Sequence, residues 1–364
     1  MDSIWDLANS HLRDLALYEP GKPIEETARE SGLRPDQIIK LASNENPLGP
    51  SPRVQAAMQD ALARANLYPD GGGFYLRAAL AEKLQIRPEN LILGNGSNEI
   101  IEFIGHAFLG PEAEMVTSEN AFIAYRLVAS LFGAKIVTVA DREYCFDLDA
   151  ILHAITPRTR VVFIANPNNP TGTLVRQEAI DQFVADLPNG VVVVFDEAYF
   201  EYLDAPPDTL QFVREGRNVI VLRTFSKIHA LASARLGYGI AHPELIRVLQ
   251  KTREPFNTSG VAQAGAVAAL ADEVHQVETK RLTDEGRQYF EEEFTAMGLP
   301  FVQGVANFVL VRVGDGKATF QAMLKKGVIV RALSGYHLPE WMRISVGTMA
   351  QNRQCIAALR EALL

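Results

Sequence analysis

Three apolar runs in the middle of the chain each stop at residues able to do chemistry. The run at 161–165 is followed by Asn166-Pro167-Asn168-Asn169-Pro170-Thr171-Gly172. The run at 191–195 leads into Asp196-Glu197-Ala198-Tyr199. The run at 219–222 leads into Arg223-Thr224-Phe225-Ser226-Lys227, and Arg235 comes eight residues after Lys227. Amide, carboxylate, phenol, hydroxyl, amine and guanidinium therefore arise at successive strand ends, where open parallel sheets place their ligands. One cofactor needs that set. Pyridoxal 5′-phosphate takes an amine on its aldehyde and an acid that keeps its ring nitrogen protonated, because the protonated ring is the electron sink. It also needs donors for its ring oxygen and its phosphate. Lys227 would hold the cofactor and shuttle protons, and Asp196 would pair with the ring nitrogen. Asn166 and Tyr199 would bond the ring oxygen. Ser226 and Arg235 would hold the phosphate, Arg235 as a charge-assisted fork.

A Gly-rich turn, Gly94-Asn95-Gly96-Ser97-Asn98-Glu99, adds to this. Glycine lets a backbone approach closely, and the N–H groups of Ser97 and Asn98 at a helix start would cradle a phosphate. The same run is a degenerate dinucleotide fingerprint that lacks its third glycine. Singly, each residue has an ordinary use: a surface lysine, a strand-end aspartate, a turn asparagine. Their joint order after apolar runs is what points to a site.

The elements that must position these residues are legible. Ser51-Pro52 has the signature of a helix N-cap and first position, with a helix to about residue 65. A short strand is expected at 90–93 and a helix at 98–109, with Ile100, Ile101, Ile104 and Phe108 on one face. Further strands are expected at 115–116, 135–139, 161–165, 191–195, 219–222 and 238–241, most separated by helical patterns. Runs such as Val191-Val192-Val193-Val194-Phe195 lack alternation, which suits strands covered on both faces. The alternation of strand and helix predicts an α/β fold with a mostly parallel sheet. After about residue 258 the texture changes to helices at 261–272 and 274–297, strands at 308–313, 328–331 and 343–346, and a last helix at 351–364. The expected division is an N-terminal arm over 1–40 packed with a small domain, a large cofactor domain over 41–257, and a small α+β domain over 258–364, hinged near 255–260.

Composition narrows the function classes. The chain has 364 residues, 48% of them hydrophobic and 22% charged, with a net charge of −9. That size exceeds one core and suits a large unit plus a smaller one. An acidic balance disfavours nucleic acid and anionic membrane surfaces as partners. Cys145 and Cys355 are too few for a disulfide framework and have no zinc-ligand spacing, so no metal is expected. No apolar run reaches membrane-span length and the first ten residues do not read as a secretory signal, so a cytoplasmic enzyme is expected.

The sequence resembles the fold-type I, pyridoxal-phosphate-dependent aminotransferases of class II, and within them the branch that acts on histidinol phosphate. The matching runs are Leu41-Ala42-Ser43-Asn44-Glu45-Asn46-Pro47-Leu48-Gly49-Pro50, Tyr68-Pro69-Asp70-Gly71, the segment 166–172, Asp196-Glu197-Ala198-Tyr199, Ser226-Lys227 with Arg235-Leu236-Gly237-Tyr238, and Gly335-Tyr336-His337-Leu338-Pro339-Glu340-Trp341-Met342-Arg343-Ile344-Ser345. The resemblance covers nearly the whole chain from about residue 18. It implies a large domain built on a seven-stranded, mostly parallel sheet with a smaller α+β domain. It implies that Phe122 stacks on the cofactor ring and that Tyr68 reaches the cofactor phosphate of a neighbouring subunit, hence a homodimer. It implies that Arg343 grips the acidic group of each substrate, L-histidinol phosphate and glutamate or 2-oxoglutarate, with Arg331 close by. Tyr18 and Asn46 would belong to the arm that covers the substrate.

The sequence departs from the family after the lysine. The usual Tyr-Gly-Leu-Ala-Gly-Leu-Arg is His229-Ala230-Leu231-Ala232-Ser233-Ala234-Arg235 here. These changes leave Lys227 and Arg235 in register and bear on substrate choice and turnover. His229 is expected to pack rather than to catalyse. The alternatives are an aromatic amino-acid aminotransferase, a related decarboxylase, a ligand-sensing regulator, which would need a DNA-binding module before residue 40, and a nicotinamide dehydrogenase built on 94–99, which leaves Lys227, Asp196 and Asn166 unexplained.

Overall fold

The structure is a computed structural model that describes residues 4–13, 15 and 23–364. Seven strands form its largest sheet: β1 Leu91–Gly94, β2 Glu114–Ser118, β3 Lys135–Val139, β4 Thr159–Ala165, β5 Val192–Asp196, β6 Val219–Thr224 and β7 Gly237–Ala241. Their order is β1-β7-β6-β5-β4-β2-β3, and only β7 runs antiparallel to its neighbours. Every residue of β5, β6 and β7 is buried, as unalternating apolar strands require when helices cover both faces. Register brings the functional ends together. Ala165 pairs with Asp196, and Asp196 with Leu222, so the residues that follow these strands emerge side by side.

Each expected strand is present within a few residues. The helix after Ser51 ends sooner than expected, at Pro52–Leu62, with Ser51 Oγ accepting from Val54 N. The helix after the Gly-rich turn is Ser97–Phe108.

A second core lies in the last hundred residues. Strands Arg331–Leu333, Leu338–Ser345, Phe308–Arg312 and Phe301–Val302 form an antiparallel sheet. Phe290 and Phe294 of helix Glu273–Ala296, Met323 of helix Gly316–Leu324, and Ile356 and Leu359 of helix Met349–Ala362 pack with it. The N-terminal segment joins this unit: Ile39–Lys40 pairs in parallel with Val328–Ile329, and Ala28 and Ile38 pack on Leu324 and Ile329. His11 sits elsewhere, donating to Leu131 O of the large unit at 2.8 Å. One helix beyond the expected boundary near 258 packs with the large sheet. Helix Gly260–Leu270 gives Ala262, Ala266, Ala269 and Leu270 to the core of the large sheet, so it packs with the unit before it. Its small apolar residues allow that close seating. Gly265 in particular has no room for a side chain beside Met58.

Candidate active site

A cavity of about 450 Å³ opens at the carboxyl ends of β4, β5 and β6. Lys227 and Asp196 both line it, together with Ser97, Asn98, Phe122, Tyr199, Ser226, Arg235, Arg331 and Arg343. Ten residues singled out in the sequence are therefore gathered in one place from distant parts of the chain.

Lys227 follows β6. Its Nζ donates to Ser43 O at 3.3 Å and lies 5.7 Å from the centre of the Tyr199 ring. Burial is the main cause that lowers the pKa of this amine to about 8, and the positive charge of Arg343 adds to it. An amine so placed gives up its proton readily and becomes a nucleophile and base.

Asp196 ends β5 and is 6% exposed. Its Oδ2 accepts from Tyr125 Oη at 2.7 Å, while its Oδ1 is buried without a hydrogen-bond partner among the described residues. Burial pushes the Asp196 carboxyl above the ordinary carboxylate range, opposed by the Tyr125 hydrogen bond. A buried carboxylate oxygen without a partner is a place for a cationic N–H. Tyr125 is in turn held by stacking on Phe163, with centroids 4.6 Å apart and planes at 4°, and by an edge contact with Phe122.

The helix Ser97–Phe108 presents its N-terminus to the same cavity, which Ser97 and Asn98 line. Its cap, Gly96, has φ of +76°, and a Cβ there would stand 2.4 Å from Arg235 Nη2, so only glycine lets this guanidinium lie against the turn. Arg235 Nη1 donates to Ser226 Oγ at 3.4 Å and to Ala232 O at 3.0 Å. Free helix N–H groups, a hydroxyl and a guanidinium thus converge, the requirements of a phosphate. An acid with an unpartnered oxygen, an anion cradle and an amine in one cavity fit a phosphorylated pyridine ring carrying an aldehyde.

Two expectations are corrected. Asn166 does not line the cavity: its Nδ2 donates to Val175 O at 3.0 Å and its Oδ1 accepts from Val175 N at 2.7 Å. The amide closes its own loop, with its nitrogen and its oxygen both turned to Val175. The asparagine in the cavity is Asn169 of the same run, whose Oδ1 accepts from Arg343 Nη1 at 2.5 Å. Asn46 also stays out. Its Nδ2 donates to Ile228 O at 2.9 Å and to Thr279 Oγ1 at 3.1 Å, which ties the arm to the lysine loop rather than to a substrate. The neighbouring Ser43, Asn44 and Glu45 line the cavity in its place.

Arg343, 6% exposed, also donates from Nη2 to Ala42 O at 2.6 Å, and its guanidinium carbon lies 5.4 Å from the centre of the Phe308 ring. Its register partner across the small sheet is Arg331, so two cations stand together at the cavity wall. Tyr68 is outside this cavity, 83% exposed and stacked on Phe256 at 4.7 Å. Tyr18 lies outside the described residues. Tyr125, Asn169, Asn44 and Tyr336 are cavity residues that motif reading missed.

The departures after the lysine have separate outcomes. Ala230 has φ of +58°, where glycine is at ease and alanine is strained by about 1–2 kcal/mol. Ser233 lines the cavity. His229 does not; it is 3% exposed, packs 5.0 Å from the Phe225 ring, and its Nε2 is 3.8 Å from Glu201 Oε1.

The profile of the family described as aminotransferase class I and II matches residues 36–359. A histidinol-phosphate aminotransferase of Akkermansia muciniphila is 54% identical over 362 residues, which is 99% of this chain and 100% of that protein. One of Moorella thermoacetica is 48% identical over 350 residues, 95% of this chain and 90% of that protein. Among solved structures, histidinol-phosphate aminotransferase from Sinorhizobium meliloti in complex with pyridoxal-5′-phosphate superposes with a TM-score of 0.89 at 29% identity, covering 97% of this chain and 96% of that one.

Proposed function

This chain belongs to the class I and II aminotransferases, and we propose that it moves the amino group of L-histidinol phosphate to 2-oxoglutarate, giving imidazole-acetol phosphate and L-glutamate. The names of its full-length relatives support that substrate over an aromatic amino acid. Its fold is that of the fold-type I enzymes, and its cofactor is pyridoxal 5′-phosphate. When bound, that cofactor withdraws electrons from the substrate's α-carbon.

The observation that carries the reading is that Lys227 and Asp196 share one cavity with an anion cradle. Asp196 Oδ1, which has no partner of its own, would hold the proton on the ring nitrogen. Ser97 and Asn98 N–H, Ser226 Oγ and Arg235 would hold the cofactor phosphate. Phe122 would pack on the ring, and Asn169 and Tyr199 would bond the ring oxygen. Lys227 Nζ would take the proton from the substrate α-carbon and return it, a role suited to an amine with a pKa lowered to about 8. Arg343 and Arg331 would grip the acidic group, a phosphate in one substrate and a carboxylate in the other.

The reading brings a homodimer with it. The pairs Leu67-Tyr68 and Phe74-Tyr75 are exposed within nine residues of sequence, and Tyr68 would reach the partner's cofactor phosphate. It also brings a cytoplasmic location. No helix of the described residues is long and apolar enough to cross a membrane. The deciding experiment compares kcat/KM for histidinol phosphate and phenylalanine with 2-oxoglutarate as acceptor. Histidinol phosphate is expected to lead by tenfold or more, which is about 1.4 kcal/mol of transition-state binding. The opposite preference overturns the substrate assignment.

A further inference from the structure

We propose that Asn44 is a positioning residue that sets the direction of the Tyr199 hydroxyl, so that its proton is offered into the cofactor cavity. The inference rests on the reading of that cavity as a pyridoxal-phosphate site.

The donors and acceptors around Asn44 leave one arrangement. The Asn44 backbone N–H can only donate, and it donates to Ser345 Oγ at 2.8 Å. Ser345 is 2% exposed, and its Oγ lies 2.9 Å from Asn44 Oδ1. The Ser345 hydroxyl proton has no other acceptor among the described residues. It must go to Asn44 Oδ1, which orients the amide with oxygen toward Ser345 and nitrogen toward Tyr199. Turning the amide over would set an N–H against Ser345 Oγ and strand a buried hydroxyl proton, which protein interiors avoid. Asn44 Nδ2 therefore donates to the Tyr199 oxygen at 2.8 Å.

With that position filled by a donor, Tyr199 can only accept there. Its own proton has no acceptor among the described residues, and Tyr199 lines the cavity. Asn44 is held to this task. It is 1% exposed, its φ of +54° is one that asparagine tolerates, and its carbonyl accepts from Asn307 Nδ2 at 3.0 Å.

The direction matters for acid–base behaviour. A hydrogen bond donated to the anionic ring oxygen draws off charge that would otherwise hold a proton on the nitrogen joining Lys227 to the cofactor. Ser345 stands two residues beyond Arg343 on strand Leu338–Ser345, so the strand that brings a cation to the cavity also orients this proton.

The test is a pH titration, followed by absorbance, of the visible-edge band of the lysine-bound cofactor in the holoenzyme. Asn44→Asp keeps the shape but replaces the donor with an acceptor, to which Tyr199 must then donate. The midpoint is expected to rise by about one pH unit. Tyr199→Phe should also raise it, and the double variant should titrate like Tyr199→Phe alone, because Asn44 acts through Tyr199. An unchanged midpoint in Asn44→Asp overturns the proposal. So does a shift that adds in full to that of Tyr199→Phe, since a new charge would then be acting directly. Should Asn44→Asp fail to retain cofactor, Ser345→Ala carries the same test. Its midpoint should rise alone and not beyond Tyr199→Phe in combination, and an unchanged midpoint overturns the proposal. Absence of the band from the wild-type holoenzyme would instead contradict the cofactor reading itself.

Discussion

The Tyr125 hydroxyl donates to Asp196 Oδ2 at 2.7 Å and leaves Asp196 Oδ1 as the carboxylate oxygen without a partner. One oxygen is thus anchored by the protein and the other is left for a ligand. If Asp196 holds the ring-nitrogen proton as proposed, Asp196→Asn should lower kcat by about a hundredfold or more. Tyr125→Phe should lower it by about tenfold, a loss of about 1.4 kcal/mol. Steady-state kinetics check both. Equal losses, or a larger loss for Tyr125→Phe, would contradict the ranking.

Burial first, and the charge of Arg343 second, lower the Lys227 pKa from 10.5 to about 8. In the cofactor-free protein the unfolded chain keeps this proton up to its ordinary pKa, while the folded chain releases it near 8. Between those values the unfolded state binds more protons, so stability from this group rises with pH across that window. Below it the amine is charged in both states and the full burial penalty applies. Thermal melts of wild type and Lys227→Met from about pH 7 to about 10 should show wild type gaining on the variant as pH rises. Parallel profiles would contradict the lowered pKa.

Asn166 and Asn169 should separate cleanly. Asn166→Ala removes two buried hydrogen bonds to Val175 and should destabilise the fold by about 2 kcal/mol. Asn169→Ala should leave the melting temperature nearly unchanged while altering the cofactor spectrum and raising KM, because its amide lines the cavity and meets Arg343. The reverse pattern would restore the assignment made from sequence.

Tyr68 is exposed on its own chain, so its role is tested in trans. Mixed dimers of Tyr68→Ala and Lys227→Ala chains, each inactive alone, should recover about a quarter of wild-type turnover, because half of the random dimers carry one intact site. Full activity of Tyr68→Ala alone, or no recovery after confirmed subunit exchange, would contradict a shared site.

The strand ends were legible in sequence because β4, β5 and β6 are buried on both faces and therefore read as unbroken apolar runs. Lys227, Asp196 and Tyr199 follow from where those runs stop. The asparagine did not, because three asparagines share the run 166–172. Asn166 is the first after the strand, yet its N–H continues the ladder to Asp196 O at 2.9 Å and its side chain turns back to Val175. Only the loop's path brings Asn169 round to the cavity. Tyr125 was hidden for another reason. It sits in helix Ile123–Leu131 among buried Ala124, Val128 and Ala129, where a tyrosine reads as core until a partner for its hydroxyl is known. The packing of helix Gly260–Leu270 on the large sheet is not legible in sequence, because nothing in its alanine-rich run says which sheet it covers.

The account turns on Lys227 holding the cofactor opposite Asp196 in one cavity. The direct measurement is to reduce the pyridoxal-phosphate-loaded enzyme with borohydride, digest it, and locate the modified residue by mass spectrometry. The account predicts loss of the visible-edge band and one stoichiometric pyridoxyl group on the peptide containing Lys227. A label on another lysine, or none, would contradict it.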